Sequence, residues 1–371
     1  MSSPLEVTLY DKAWKRIGWI GDHEAVTVTP RHNQQPTASV QVRNDHPQAA
    51  ALVTPGTRCV IDYHGAQTLV GVVESVDGEI GPDGSLTAQV QDAWSILYDL
   101  LGFPGTIDST GKTAVAYDVR TGPAETVLKG YLQAAITRLG LPVTVAPDLG
   151  RGSTIGPVQM RFTSLAEQLV PLVDAAGVGV SVTFNGTGLV VDCYTPRQYP
   201  LTLTPESGIV TAASWSLAAP AVTRFVAGGQ GDLTARVFAT YVDTAVEASW
   251  GLVREGFVDA TDVTTTAALV QRAKDSTIEN AAKSGLSLTL AETDTFHYGP
   301  DLRVGDKVTT ALVPGGPQIT DVLREATISW TRDNGLTVTP VVGERSDDPD
   351  RRLIDAVRSL TARVTNIVTR R

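Results

Sequence analysis

The chain has 371 residues, enough for two or three domains with separate cores. Hydrophobic residues make up 42% and the mean hydropathy is +0.01, which excludes general disorder, while 34 Gly and 21 Pro without a period point to many turns. The formal charge of −10 is uneven: residues 351–371 hold six Arg against one Asp, a local +5, so residues 1–350 carry −15 and argue against a nucleic-acid scaffold. Cys59 and Cys193 are too few for a disulfide framework and sit in alternating apolar stretches, as buried thiols do. The opening "MSSPLEVTLYDKAWKRIG" has no apolar core of signal-peptide length and no run approaches a membrane span. Synthesis in a cytoplasm and no stable membrane association are the expectations.

In chain order, "EVTLYD", "AVTVTP", "ASVQVRN", "RCVIDYH", "TLVGVVESV" and "LTAQVQD" are β-branched, mostly alternating runs broken by Gly, Pro, Asn or Asp, and read as strands. "AWSILYDLLG" (93–102) reads as a short helix stopped by Gly102. Over 122–140, Val127, Leu128, Tyr131, Leu132, Ala135, Ile136 and Leu139 share one helical face that ends at Gly140. A helix over 163–177 opens with Ser164 and Glu167 at capping-box spacing and carries Pro171, which predicts a kink or a short first segment. "VGVSVTFNGTGLVVDCY" predicts a hairpin turning at Asn185-Gly186. Strands return from about residue 205, interrupted by a helical pattern over 264–285 that is capped by Thr and closed by Gly285.

Two regions repeat one order. "LVTPGTRCV" (52–60), "LVGVVESV" (69–76) and "DGSLTAQVQD" (83–92) match "LRVGDKV" (302–308), "ITDVLREATI" (319–328) and "DNGLTVTPV" (333–341), with Gly56 and Gly305 placed for tight turns. Order and spacing favour two copies of one small β-barrel. With "PTASVQVRNDHPQAAALVTPGTRCVIDY", "FTSLAEQLVPLVDAAGVGVSVTFNGTGLVV" and "YGPDLRVGDKVTT", the layout resembles the tail-tip or baseplate hub proteins of long-tailed (siphovirus) phages, the minor tail proteins of actinobacterial phages.

The resemblance implies a mainly β (α+β) chain with two related tail-tube-like β-barrels, an α/β insertion and a C-terminal helix. It also implies a homotrimer whose six barrels match a sixfold tube above and threefold structures below. The expected division is a first barrel over 1–105, with about 205–235 as a completing segment; a mixed α/β region over 106–200 that can belong to the second barrel; a helix-containing region and second barrel over 201–345; and a helix over 346–371. Implied partners are further copies of the chain, distal tail, tape-measure and receptor-binding or fibre proteins, and DNA in transit, at the virion tail tip.

Catalytic, metal and cofactor motifs are not found. "GTIDSTGKT" (105–113) has five residues between Gly105 and Gly-Lys where a phosphate loop needs four, and reads as a surface loop. His23, His32, His46, His64 and His297 lack metal spacing and read as solvated or turn histidines. No G-x-S-x-G elbow occurs. Trp250, between Glu247 and Glu255, is the one aromatic suited to a sugar, against a core or interface role. The alternative function is accordingly a tail-associated cell-wall-degrading enzyme or carbohydrate-binding module.

The last segment, "DDPDRRLIDAVRSLTARVTNIVTRR", reads as one helix roughly 30 Å long, capped by Asp348 with Pro349 in its first turn. Leu353, Val357, Leu360, Val364 and Ile367 form an a/d seam, widened at e by Ile354 and Val368, which suits a trimer or docking on a body better than a dimeric zipper. A threefold stem, packing on its own body, and binding another protein are all open.

Overall fold

The computed structural model describes residues 3–343 except 82–83, 205–206, 262, 282, 291–295 and 312–317. The expected terminal helix, with Leu353, Ile354, Val357, Leu360, Val364, Ile367 and Val368, lies outside the described residues.

The first ninety residues form strands because their apolar positions alternate. Leu5, Val7 and Leu9 of β1 (Leu5–Tyr10), Ala38, Val40 and Val42 of β4 (Thr37–Arg43), and Leu86, Ala88 and Val90 of β7 (Ser85–Asp92) all point into one core. With β2 (Arg16–Ile20), β3 (Ala25–Thr29), β5 (Arg58–Tyr63) and β6 (Ala66–Gly78) they run antiparallel in the order β3-β4-β7-β6-β5-β1-β2. A Cβ on Gly71 would lie 1.9 Å from the Gln91 carbonyl oxygen, so only glycine lets β6 cross β7 there. The short helix α1 (Ala49–Leu52) buries Leu52 on the same core. β2 is the strand missed in the sequence, since of its residues only Ile20 is buried.

After β7 the chain leaves the sheet and builds a second core. A 3₁₀ turn at Ala93–Ser95 and α2 (Ile96–Asp99) replace the single helix expected over 93–102, and Gly102 falls in β8 (Leu101–Gly102), where its missing side chain leaves room for Met160. β9 (Asp118–Pro123) precedes α3 (Ala124–Leu139), which buries Val127, Leu128, Tyr131, Leu132, Ala135 and Ile136 as its periodicity predicts and ends at Gly140 in the left-handed conformation. Then come β10 (Val143–Val145), β11 (Thr154–Met160), β12 (Thr163–Ser164), α4 (Leu165–Ala175), β13 (Gly179–Phe184) and β14 (Leu189–Tyr194). α4 runs through Pro171 without stopping. Ser164 holds the N-cap position, but its hydroxyl donates to the Leu97 carbonyl (3.3 Å) because β12 is paired with β8, so the expected capping box is not made.

The chain then returns to the main sheet with β15 (Gln198–Leu203) and β16 (Val210–Ala218). A third, smaller core follows: β17 (Arg224–Gly228), β18 (Phe238–Val242), α5 (Thr244–Trp250), β19 (Glu255–Asp259) and α6 (Thr266–Glu279), with Ala227, Leu269 and Ala273 between sheet and helix. Thr265 caps α6, whose side-chain oxygen accepts from the Ala268 N–H. The helix pattern read to Gly285 overruns: α6 ends at Glu279 and Gly285 lies inside β20 (Lys283–Leu290), paired with Ser216 of β16. β21 (Lys307–Ala311), β22 (Gln318–Thr331) and β23 (Gly335–Gly343) complete the body.

The result is mainly β with helices. The main sheet has 13 strands: the path β16-β20-β23-β22-β3-β4-β7-β6-β5-β1-β2, with β21 branching from β22 and β15 paired to β21. Among the described residues no pairing joins β16 to β2, so the sheet is open rather than closed into a barrel. The sequence repeat lies on a repeated strand order, β4-β7-β6-β5 and β20-β23-β22-β21, with Gly56 (φ 86°) and Gly305 (φ 93°) leading into β5 and β21. Residues of both runs share one core, Leu69 and Val90 with Leu323 and Val342.

Candidate functional site

Chemistry and assembly make different demands on side chains. The 105–113 loop closes on Asp108, whose Oδ1 accepts from the Thr110 N–H (2.8 Å), the Thr110 hydroxyl (2.7 Å) and the Lys112 N–H (3.0 Å). A carboxylate thus takes the donors that a phosphate would need. Glu247 receives two hydrogen bonds from Arg224 (2.8 and 2.7 Å) and one from Thr223 (2.9 Å), which ties α5 to β17. A groove of about 210 Å³ between α4 and α6 is lined by Glu167, Gln168, Pro171, Arg272 and Asp275. Among the described residues no group of three His, Cys, Asp or Glu is placed to hold a metal ion, and no helix is long and apolar enough to cross a membrane.

Polar side chains converge instead where the α/β lobe meets the sheet. His32, expected as a solvated or turn histidine, is 2% exposed. Its Nδ1 meets the Tyr194 hydroxyl (2.7 Å) and its Nε2 the Asp174 Oδ1 (3.1 Å). Asn33, left-handed at φ 52°, donates to Asp174 (2.8 Å) and to the Val178 carbonyl (2.9 Å) and accepts from the Val180 N–H (2.9 Å). Arg324 of β22 donates to both Asp174 oxygens at 2.7 Å. Burial opposes ionisation of Asp174, but the His32 hydrogen bond and the Arg324 guanidinium outweigh it and hold the carboxyl well below the usual carboxylate range. The cluster therefore fastens the loop after β3, the end of α4 and β22 together. His23 is buried as well, edge-on to Trp330 at 4.8 Å, and donates from Nε2 to the Leu5 carbonyl (3.1 Å).

A second fastening lies on the other side of the lobe. The Phe184 ring stacks on Trp14 (4.5 Å) and meets Tyr10 edge-on (5.0 Å), Arg58 lies over Trp14 at 4.4 Å, and the Phe184 N–H donates to the Gln67 side chain (2.8 Å). Within the lobe, Lys129 donates to Glu125 (2.6 Å) and Asp192 (2.7 Å), which pins α3 to β14. Sequence periodicity could not reveal the joints to the sheet or Lys129–Asp192, because those partners lie far apart in the chain.

This arrangement of lobes on a long sheet has relatives. The family described as Siphovirus ReqiPepy6 Gp37-like protein matches residues 6–344. The chain belongs to this siphovirus family. No curated protein matches the sequence. Among solved structures, the 43 kDa tail protein of prophage MuSo2 from Shewanella oneidensis is 15% identical, with a TM-score of 0.59 over 91% of this chain and 98% of that one. A tail protein from Neisseria meningitidis MC58 is 12% identical, TM-score 0.56, covering 92% and 96%. Prophage tail protein gp18 from Listeria monocytogenes EGD-e is 14% identical, TM-score 0.54, covering 96% and 99%. The siphovirus Gp37-like chain thus shares its fold, over nearly its full length, with phage tail proteins.

Proposed function

We propose that this siphovirus protein is a structural component of the virion tail tip: a homotrimeric hub that joins the sixfold tail tube to threefold tip structures, closes the tube end and anchors distal and receptor-binding proteins. One observation carries the reading. The strand order β4-β7-β6-β5 recurs as β20-β23-β22-β21 in the same chain, so three chains supply six like β units. In this reading each unit completes a tail-tube-like barrel in the assembly. Distal tail, tape-measure and receptor-binding or fibre proteins are its neighbours, and DNA passes through transiently. The apolar face Leu353, Ile354, Val357, Leu360, Val364, Ile367 and Val368 serves as the threefold stem.

The hub needs no catalysis of its own, and Glu247, the carboxylate nearest Trp250 in sequence on its helix, is engaged by Arg224. Mass measurement in solution and on purified tail tips tests the reading: three times the 39.3 kDa chain mass is expected. A single chain in both settings overturns it. A turnover assay on purified cell wall separates it from a tail-associated enzyme, for which release of wall fragments is the sign.

A further inference from the structure

The two like units meet inside the chain through a single strand. β22 pairs with β21 as far as Val322, and its far half then overhangs β21 and pairs with β3, with Ile328 opposite Val28, Ser329 opposite Thr27 and Trp330 opposite Val26. Val26, Val28, Ile328 and Trp330 are all buried there.

β6 stands in the first unit where β22 stands in the second. β6 pairs with β5 as far as Val72. The next N–H then bonds back to the preceding turn in both units, Val73 to the Thr57 carbonyl (2.9 Å) and Leu323 to the Asp306 carbonyl (2.7 Å). Both ladders to the following strand then bulge, between Val73 and Ser75 and between Leu323 and Glu325. Counting on from the bulge, Gly78, Glu79 and Ile80 correspond to Ile328, Ser329 and Trp330. No described strand lies on their outer side, and Ile80 is fully exposed.

The counterpart of β3 is β16. The row Ser75–Gln89–Ser39–Thr27 crosses β6, β7, β4 and β3. The row Glu325–Val341–Ser287–Ser214 crosses β22, β23, β20 and β16 in the same sequence of steps. Ser214 therefore corresponds to Thr27, and Trp215 and Ala213 to Val28 and Val26. β16 ends the sheet path with "VTAASWSLA", nine residues without a charge or a proline, and Trp215 on it is 50% exposed. Such an edge invites pairing. The other ends of the sheet are blunted, β15 by Pro200 and the five-residue β2 by Arg16.

We propose that Gly78, the last residue of β6, and the two residues after it in one copy pair antiparallel with β16 of a second copy, repeating between chains the joint that β22 and β3 make within one. Gly78 then faces Trp215, Glu79 faces Ser214 and Ile80 faces Ala213, and the two exposed apolar side chains are covered. The glycine leaves room for the indole. The contact is head-to-tail, so it extends from copy to copy until the rotation closes. The proposal rests on the trimeric reading and sharpens it: three internal joints alternate with three joints between chains.

The test is the full chain carrying Glu79→Cys and Ser214→Cys, at two exposed positions. Cys59 and Cys193 are buried and do not compete. A second variant, Thr27→Cys with Ser329→Cys, reads the internal joint, where the two native hydroxyl oxygens are 3.0 Å apart. On a non-reducing gel the first variant should move from one chain mass to two and three, reversed by reductant, while each single variant stays at one. A three-chain mass in solution with no bond between chains, while the internal pair closes, overturns the joint and leaves the trimer standing. Single-chain mass for the wild type, both in solution and on tail tips, overturns both.

Discussion

Asp174 is half-buried and Asp92 is buried, and their surroundings push the two carboxyls in opposite directions. Asp174 is held charged by His32 and Arg324, so its folded pKa lies below the unfolded value of 3.8. Its contribution to stability is complete above about pH 4 and is lost as the pH falls through the folded pKa. Asp174→Asn should weaken stability at neutral pH by about 2 kcal/mol, since it removes the charged acceptor of the Arg324 and His32 hydrogen bonds, and should flatten the acid limb of a melting-temperature profile. Asp92 accepts from the Val70 N–H (3.0 Å) and the Trp94 N–H (2.8 Å), yet burial pushes its carboxyl up to about 7. The folded state then binds a proton that the unfolded chain lacks between about pH 4 and 7, so stability falls as pH rises through that window. Asp92→Asn should remove this fall at the loss of about 1 kcal/mol for the acceptor turned toward Val70. An unchanged slope in the variant would show that Asp92 is ionised throughout. Neither carboxyl stands out in the sequence, because burial and a guanidinium 150 residues away are tertiary facts.

At the scale of elements, local pattern sufficed where one face is apolar and a stop signal follows. α3 kept its predicted face except at Leu139, which is exposed in the last turn, and kept its Gly140 cap; the β13–β14 hairpin kept Asn185, whose Oδ1 accepts from the Thr187 and Gly188 N–H groups at 3.0 Å. Pattern failed where a strand begins with a helix-compatible run: "KSGLSLTL" continues the composition of α6, but pairing with β16 draws it into the sheet. The aromatic fastening gives a test at this scale. Phe184→Ala removes the ring between Trp14 and Tyr10 and should cost about 3 kcal/mol if lobe and sheet melt together. Two separated calorimetric transitions in the variant, against one in the wild type, would show that this contact couples them. The terminal segment is tested by truncation after Ser346. The truncated chain should keep its body fold and lose trimers or a distal partner. Unfolding of the body would mean that the helix is part of its core.

For the whole molecule, the repeat of strand order was legible because each unit spells it within some forty residues, whereas the open ends and the lobe joints depend on pairings made across the chain. The charge was legible too, and the structure shows where part of it is concentrated. On β1 and β5, Glu6 is paired directly with Asp62, both on the face turned away from the core. Burial, then the Glu6 charge, raise the Asp62 carboxyl above its ordinary value. Like charges directly opposite on a sheet destabilise it by up to about 1 kcal/mol, so this pair is a cost that folding alone does not explain. A conduit for DNA would explain it, because a negative wall keeps the polyanion from adhering. Glu6→Gln should therefore raise the melting temperature at neutral pH. In assembled particles, Glu6→Lys with Asp62→Lys should slow DNA ejection, and more so at low salt. A stabilised Gln variant together with unchanged ejection in the Lys variant would place this face outside the conduit and leave the repulsion to some other contact of the tail.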